Sequence, residues 1–223
     1  MTILLLCLAI AVESYLLGSI MFGILVSKNI YHDDIRTHGS GSAGMTNMLR
    51  TFGKKAAVIT AAGDALKGVF AVLIAGWLVS RTVWGCNALA VMLFKYLAMA
   101  FVMLGHFKPL YFGFKGGKGV VTGGACLTVI NSPLVFFSML AVFLVAFLST
   151  RMVSLGSILA ACSYPLFTLL YGLLLWHQPL YQLIPAVLIA AVLGGSVVYM
   201  HRSNIKRILS GTEYRFDGSH KKN

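Results

Sequence analysis

Long, uninterrupted apolar segments make up most of this chain. They extend over about 3–26, 56–79, 83–104, 152–176 and 183–200, lengths at which a helix crosses a hydrocarbon core of ~30 Å. Membrane β-strands would instead alternate apolar and polar residues. Because 58% of the residues are hydrophobic and only 11% are charged, the composition excludes a soluble enzyme, a disordered tail and a disulfide scaffold. The sequence predicts an all-α polytopic membrane protein. Its first segment is a retained span, since it is too long for a signal peptide.

A further apolar stretch, 120–149, is interrupted by Asn-Ser-Pro at 131–133. Its first part, 120–130, has 11 residues. As a helix that part would be ~17 Å long, which is short of the hydrocarbon core. The stretch therefore forms either two short crossing helices or a re-entrant hairpin, and the chain has seven or five spans. Both alternatives place the two termini on opposite sides of the membrane.

Positive charge is concentrated on one side of these spans. If the N-terminus lies outside, the cytoplasmic segments 27–55, 105–119, 150–151 and 201–223 carry five, three, one and six of the 18 Lys and Arg residues. The outside segments carry Arg81 alone. The positive-inside rule then places the N-terminus outside and the C-terminus in the cytoplasm. It also explains most of the formal net charge of +12.

The chain has no visible internal repeat and no soluble second domain. We predict a single transmembrane domain over 1–210 with three cytoplasmic polar segments, followed by a polar cytoplasmic tail, 211–223, that frays. The four cysteines share no metal-like spacing and are interpreted as small core residues.

The first polar segment, 39–55, combines glycines, hydroxyls, an asparagine and cations. Its glycines allow backbone N–H groups to converge on an anion. Thr46 or Asn47 is suited to cap a short helix, whose positive end would add to this attraction. Arg50 and the adjacent lysines supply full charge. The alternative is a flexible, basic loop that flanks the membrane.

The second polar segment, 105–119, ends in Gly-Gly-Lys-Gly immediately before an apolar helix that should begin at Val120. Such a loop suits a phosphate group. It is not a Walker A loop, because Gly119 rather than Ser or Thr follows Lys118. The alternative is a basic turn at the membrane interface.

The third polar segment, 201–213, continues from the last span. On a helix, His201 and Asn204 are three residues apart and share a face. Ile205, Ile208 and Leu209 form an apolar stripe on the same stretch. The alternative is a basic anchor helix on anionic lipid.

Several ionisable residues fall within the apolar spans, where they are costly. Asp64 and Lys67 are three apart and can pair, which favours a structural ion pair. Glu13 and Lys95 have no partner visible in the sequence, and structural pairing between helices is favoured over catalysis. The histidines outside the polar motifs have no metal-ligand spacing, so no metal site is predicted.

Together, these segments resemble the motifs of the bacterial acyl-phosphate:glycerol-3-phosphate acyltransferases, the PlsY family. The matching motifs are Gly-Ser-Gly…Thr-Asn-x-x-Arg at 39–50, Asp-x-x-Lys-Gly at 64–68, Gly-His…Phe-x-Gly-Gly-Lys-Gly at 105–119 and His-x-x-Asn-Ile-x-Arg…Gly-x-Glu at 201–213. Their order and spacing also agree, so the resemblance covers nearly the whole chain. Two positions depart from the family pattern: Ser42 replaces an Asn, and Val121 replaces an Ala.

The resemblance implies seven spans in the bacterial plasma (inner) membrane, with an active site that faces the cytoplasm. It also implies transfer of a fatty acyl group from acyl phosphate to the sn-1 hydroxyl of glycerol 3-phosphate, giving lysophosphatidic acid. The implied partners are these two substrates, the lipid bilayer and the enzyme that makes acyl phosphate, with no nucleic acid. Because acyl phosphate is already activated, no cofactor or metal is required. A His-x4-Asp motif, typical of CoA- or carrier-dependent glycerolipid acyltransferases, is absent from the sequence.

These expectations assign roles to individual residues. Arg50 and Lys118 neutralise phosphate charge, and Ser40 and the glycine N–H groups hold phosphate oxygens. Asn204 donates to the developing oxyanion, and either His201 or a substrate phosphate handles the proton of the attacking hydroxyl. The candidate catalytic residues are His201, Asn204, Ser40 and Arg50. The candidate substrate-binding residues are Gly39, Gly41, Thr46, Asn47, Lys54, Lys67, Lys115, Gly116, Gly117, Lys118 and Gly119.

A transporter for anionic phosphorylated metabolites is the alternative function. It would explain the basic cytoplasmic side and the ionisable residues inside spans. It would also predict an inverted repeat and helices broken near the midplane, and the polar motifs lie in loops instead.

Overall fold

The computed structural model describes residues 2–130 and 133–216, and every regular element among them is helical. The α-helices are α1 Ile3–Gly18, α2 Phe22–Ile30, α3 Met45–Phe52, α4 Lys54–Ser80, α5 Ala88–Phe107, α6 Val120–Ile130, α7 Pro133–Thr150, α8 Val153–Leu174, α9 Leu180–Met200 and α10 Arg202–Leu209. Short 3-10 turns lie at Ile35–Thr37, Val83–Cys86 and Leu110–Phe112.

Six stretches within the described ranges are long and apolar enough to cross a membrane. They are Ile3–Ile30, Lys54–Ser80, Ala88–Phe112, Pro133–Thr150, Val153–Leu174 and Leu180–Met200. The all-helical membrane class predicted from the sequence is thereby confirmed. Helix α6 has 11 residues and covers the predicted range 120–130. The residues that join it to α7, 131–132, lie outside the described ranges, as do 217–223 at the end of the predicted tail.

The contacts of the chain group into two compact units, Met1–Pro133 and Leu134–Asn223. The single transmembrane domain over 1–210 stays a prediction. The first unit is built around α4, which contacts α1, α2, α3, α5 and α6. Within the second unit, α8 packs along α9, and α10 contacts the end of α9.

Helices α1 and α5 approach closely at two glycines. A Cβ on Gly18 would meet the backbone of Val102, and one on Gly105 would meet the backbone of Tyr15 and Ser19. Small residues at such a crossing allow two membrane helices to pack backbone to backbone. This contact places the end of α1 beside the start of the second polar segment.

The first apolar run, predicted as a span over 3–26, lies within the membrane-length stretch Ile3–Ile30, and its helix is interrupted. Helix α1 ends at Gly18, and α2 begins at Phe22 after an extended Met21. The Lys67 ammonium fills the interruption. Its Nζ donates to the carbonyl oxygens of Gly18 and Ile20, at 3.1 and 2.6 Å. Carbonyls that lose their helical partners inside a membrane need another donor, and a buried lysine supplies it here.

The second lysine within a span has a similar environment. Lys95 Nζ lies 3.4 Å from the carbonyl oxygen of Val129, in the last turn of α6. A cation near a helix C-terminus is favoured by its partial negative charge. Both intramembrane lysines therefore stabilise helix ends, a role that hydropathy does not reveal.

Candidate active site

The first polar segment is organised around the side chain of Asn47, which is 2% exposed. Asn47 Nδ2 donates to the carbonyl oxygens of His38 and Ser42, at 2.9 and 3.0 Å. Its Oδ1 accepts from the backbone N–H of Ser40, at 3.1 Å. A Cβ on Gly39 would meet this same Oδ1, and Gly39 has a φ of +54°. Asn47, predicted as a substrate ligand, therefore holds the loop in shape, and Gly39 makes room for it.

Helix α3 follows this loop, and its cap differs from our prediction. The helix begins at Met45, so Gly44 occupies the N-cap position. We had expected Thr46 or Asn47 to be the cap, but both residues lie in the first turn of the helix. The left-handed backbone at Gly39 and Gly41 turns the chain before the helix begins. Ser40 lies exposed between these two glycines, and half-buried Arg50 lies in the last turn of α3.

Arg36, which we did not identify from the sequence, links the stretch just before the first polar segment to the second polar segment. Its Nε and Nη2 donate to the Asp34 carboxylate at 3.0 and 2.7 Å, while Nη1 donates to the carbonyl oxygen of Phe112 at 2.9 Å. The hydrogen bonds from Arg36 lower the pKa of Asp34 well below its usual range. Phe112 also packs against the apolar cluster that contains Ile35 and Met48. The second segment is therefore held to the first by apolar contacts and to the preceding residue Arg36 by a hydrogen bond.

The second polar segment is anchored on the interrupted first span. Tyr15 Oη donates to the carbonyl oxygen of Lys108 at 2.8 Å, and Ser19 Oγ accepts from the backbone N–H of Leu110 at 3.2 Å. The glycine-rich loop 116–119 then leads into α6, which begins at Val120 as predicted. Gly119 has a φ of +72°, a value that favours glycine.

The imidazole of His106 lies directly beneath this loop and is 3% exposed. The backbone carbonyl oxygen of His106 accepts from the backbone N–H of Gly117 at 3.0 Å. The ring Nδ1 of His106 lies 3.3 Å from Thr122 Oγ1 and 3.7 Å from Asp64 Oδ1. A Cβ on Gly117 would meet the imidazole Nε2. Gly117 is a predicted substrate-binding residue, and its packing on His106 is a separate reason for a glycine at this position.

Lys67 and Asp64 form a buried ion pair on α4, 2.9 Å from Nζ to Oδ1. Besides this ion pair, Lys67 Nζ donates to the carbonyl oxygens of Gly18 and Ile20 and lies 3.9 Å from the sulfur of Met21. This geometry favours the structural role of the pair and argues against Lys67 as a substrate ligand. Of the other predicted cations, Lys118 is half-buried, whereas Lys54 and Lys115 are exposed.

The third polar segment belongs to the second unit. His201 joins α9 to α10, and its Nδ1 lies 2.8 Å from the carbonyl oxygen of Val197. Because a carbonyl only accepts, Nδ1 carries the proton, and in the neutral ring Nε2 carries the lone pair. Asn204, on the first turn of α10, is 5% exposed. Among the described residues, its Oδ1 has no hydrogen-bond partner.

Glu213 binds this segment together. Its Oε1 accepts from Ser154 Oγ and Asn204 Nδ2, each at 2.7 Å, and its Oε2 accepts from Arg207 Nε at 2.7 Å. Burial alone would raise the pKa of Glu213, but the three hydrogen bonds and the charge of Arg207 lower it.

The start of the predicted tail is therefore ordered. The backbone N–H of Phe216 donates to the carbonyl oxygen of Arg151 at 2.8 Å, and the Phe216 ring contacts those of Phe147 and Tyr214. Residues 211–216 thus pack within the second unit instead of fraying as predicted, because Glu213 and Phe216 both find partners there.

The structure thus brings the first two polar segments together within the unit Met1–Pro133. The third segment is ordered within its own unit, and a site shared by all three stays a prediction. Arg36, His106, Tyr15 and Ser19 were missing from our candidate list. The Gly-His pair at the start of the second motif was the one sequence signal that pointed to one of them.

Comparison with known proteins gives a consistent result. Residues 8–211 match the family described as "Glycerol-3-phosphate acyltransferase". A glycerol-3-phosphate acyltransferase of Clostridioides difficile strain 630 is 43% identical over 204 residues, which cover 92% of each chain. One of Thermosynechococcus vestitus is 39% identical over 211 residues, covering 94% of this chain and 95% of the relative.

Two solved structures are also similar. Both are crystal structures of PlsY (YgiH), an integral membrane glycerol 3-phosphate acyltransferase. The glycerol 3-phosphate form has a TM-score of 0.78 and 37% identity. The lysophosphatidic acid form has a TM-score of 0.75 and 35% identity. In both cases the match covers 94% of this chain and 95% of the other.

Proposed function

The chain belongs to the glycerol-3-phosphate acyltransferase family, and from this premise we propose that it transfers a fatty acyl group from acyl phosphate to the sn-1 hydroxyl of glycerol 3-phosphate. The product is lysophosphatidic acid. The observation that carries this proposal is the extent of the family match, because residues 8–211 include the first two polar segments and the third up to residue 211. The transporter alternative finds no support among the similar proteins.

The reaction requires no covalent enzyme intermediate. The glycerol hydroxyl oxygen attacks the acyl carbonyl carbon, the carbon–oxygen bond to phosphate breaks, and inorganic phosphate leaves with its electron pair. Both substrates are anionic, so the chain must supply positive charge and backbone donors. Arg50 and Lys118 neutralise phosphate charge, assisted by Ser40 and by N–H groups of the two glycine-rich loops, and Lys54 and Lys115 attract the substrates from the cytoplasm.

His201 and Asn204 act on the attacking hydroxyl. The hydrogen bond between Nδ1 and the carbonyl oxygen of Val197 orients the His201 ring, and this imidazole handles the proton of the attacking hydroxyl. The hydrogen bond to Glu213 orients the Asn204 amide, and its unpartnered Oδ1 can accept from the glycerol hydroxyl. This changes the role that we predicted for Asn204, from a donor to the oxyanion to an acceptor that positions the nucleophile.

The topology follows from the same proposal. Seven spans, with α6 as a short crossing helix, place the N-terminus outside and all three polar segments at the cytoplasmic face of a bacterial inner membrane. The acyl chain of the donor stays in the bilayer. The enzyme that makes acyl phosphate supplies this donor at the interface.

One assay tests the proposal directly. Purified protein in detergent, given acyl phosphate and glycerol 3-phosphate, should form lysophosphatidic acid and release phosphate. Acyl-CoA should not replace acyl phosphate. Comparable turnover with acyl-CoA would refute the donor assignment. Absence of product, together with uptake of labelled phosphate ester into vesicles, would support the transporter.

A further inference from the structure

We propose that His106 is a positioning residue whose buried imidazole supports the second glycine-rich loop, 116–119, and fixes its position. The inference rests on the proposed function, since the loop matters to catalysis as a phosphate ligand. His106 itself does not touch substrate in this proposal. It lies under the loop and is connected on its other side to a buried polar network.

The loop packs directly on His106. The backbone N–H of Gly117 donates to the His106 carbonyl oxygen at 3.0 Å. A Cβ on Gly117 would meet the ring at Nε2, whereas a Cβ on Gly116 would meet the His106 carbonyl oxygen and the Pro109 ring. Two neighbouring glycines therefore contact two different parts of the same histidine: Gly117 faces its side chain, and Gly116 faces its backbone.

The opposite edge of the imidazole is fixed. Nδ1 lies 3.3 Å from the hydroxyl of Thr122, in the first turn of α6, and 3.7 Å from the Asp64 carboxylate. Thr122 is fully buried, and Asp64 is 2% exposed. The ring therefore has little room to rotate or sink, because α4 and α6 hold one edge and the loop covers the other.

The same network reaches the interrupted first span. Asp64 binds Lys67, and Lys67 binds the carbonyl oxygens of Gly18 and Ile20. Ser19, within that interruption, accepts from the backbone N–H of Leu110. The buried network that contacts His106 therefore extends to the interrupted first span, and that span also anchors the second polar segment. The His106 ring lies between this network and the loop.

This arrangement has a consequence for substrate binding. Backbone N–H groups bind phosphate well only when they are held in place before the substrate arrives. Without the ring, the loop can move into the vacated space, and its donors lose their common direction. We expect KM to rise for at least one phosphate substrate, with a smaller effect on kcat.

A double-mutant cycle between His106→Ala and Gly117→Ala tests the contact. Each single variant should raise KM about tenfold, the first by removing the support and the second by pressing a methyl group against the ring. In the double variant the methyl group occupies space that the ring has left. Its KM should therefore be at least about fivefold lower than the product of the two single effects predicts.

Gly116→Ala is the matched control within the same loop. Its added methyl group meets the His106 backbone, which His106→Ala leaves in place. The effects of Gly116→Ala and His106→Ala should therefore multiply. Equal non-additivity for both glycines, additivity for Gly117, or an unchanged KM in His106→Ala would each overturn the proposal.

Thermal unfolding in detergent gives a readout that does not depend on the reaction. Gly117→Ala should lower Tm in the wild-type background and have less effect in the His106→Ala background. If His106→Ala cannot be purified, His106→Asn serves instead, because its amide keeps a polar group near Thr122 while removing the edge that faces Gly117. A wild-type chain that makes no lysophosphatidic acid would refute the proposed function, whereas the unfolding cycle would still test the His106 contact.

Discussion

At the scale of single residues, Glu213 is the side chain on which the order of the third polar segment depends. It binds one residue from each of three places: Ser154 on α8, Asn204 on α10 and Arg207 one turn further on. Without the carboxylate, the Asn204 amide would lose the partner that orients it, and Arg207 would lose its counter-ion. We therefore expect the effects of Glu213 to be visible in stability as well as in turnover.

The lowered pKa of Glu213 makes a pH prediction. Because the folded pKa lies below the ordinary value of 4.5, the carboxylate contributes stability above that value and loses it as the pH falls through the folded pKa. Glu213→Gln should lower Tm at pH 7 by about 2–4 °C. The difference from wild type should shrink as the pH falls below the ordinary value, measured by unfolding in detergent. A difference that stays constant down to acidic pH would contradict this assignment.

His201 and Asn204 are predicted to act in turnover. His201→Ala and Asn204→Ala should each insert and bind glycerol 3-phosphate, yet turn over at least ~10²-fold more slowly, as is typical when a positioned acid–base or hydrogen-bonding group is lost. The measurement is kcat with saturating substrates.

Arg202→Ala is the control for these two variants. Arg202 lies exposed between them and stacks on Tyr199, with 4.8 Å from its guanidinium carbon to the ring centre. It should remain close to wild type. An equal loss of kcat in all three variants would mean that the substitutions had displaced α10 as a whole.

At the scale of elements, the interruption between α1 and α2 depends on Lys67. Lys67→Met keeps the length of the side chain but leaves Asp64 without its cation and two carbonyls without their donor. Removal of one partner from a buried pair costs about 3–5 kcal/mol. We expect a clear loss of Tm and of folded yield in detergent.

The double variant Asp64→Asn with Lys67→Met separates the two functions of the lysine. It removes the unpaired charge, so it should recover part of the stability. It should still fall short of wild type, because the carbonyl oxygens of Gly18 and Ile20 remain without a donor. A stable Lys67→Met protein that binds glycerol 3-phosphate poorly would instead support the substrate-binding role that we first predicted for this residue.

At the scale of the whole molecule, the topology can be tested by labelling. In a background without the natural cysteines, single cysteines at positions 38, 113 and 210 should react with an impermeant reagent added from the cytoplasmic side. A cysteine at position 82, beside Arg81, which we predict to lie outside, should react from the other side. If any of the first three positions reacts from outside, the three polar segments cannot share one cytoplasmic site.

The helices were largely predictable because hydropathy is a local property. The predicted ranges 56–79, 120–130, 152–176 and 183–200 lie close to α4, α6, α8 and α9. Helix α5 begins and ends later than the predicted range 83–104, because Val83–Cys86 forms a short 3-10 turn and Asn87 then caps the helix. The three motif segments were also predictable, since glycines, cations and hydroxyls stand out in an apolar chain.

The rest was decided by contacts between residues far apart in the sequence. The α1–α2 interruption depends on a lysine 47 residues after Ile20, and Glu213 binds a serine 59 residues before it. Asn47 resembles a ligand in the sequence, but in the structure its side chain points inward and bonds to four backbone groups. The His106 ring occupies the space that a side chain on Gly117 would need. The sequence alone thus determined which segments are apolar and which are polar, because that depends on each residue's own transfer free energy. Only the tertiary structure decided which polar groups are consumed in holding the site together, since buried donors and acceptors must find partners wherever the fold brings them.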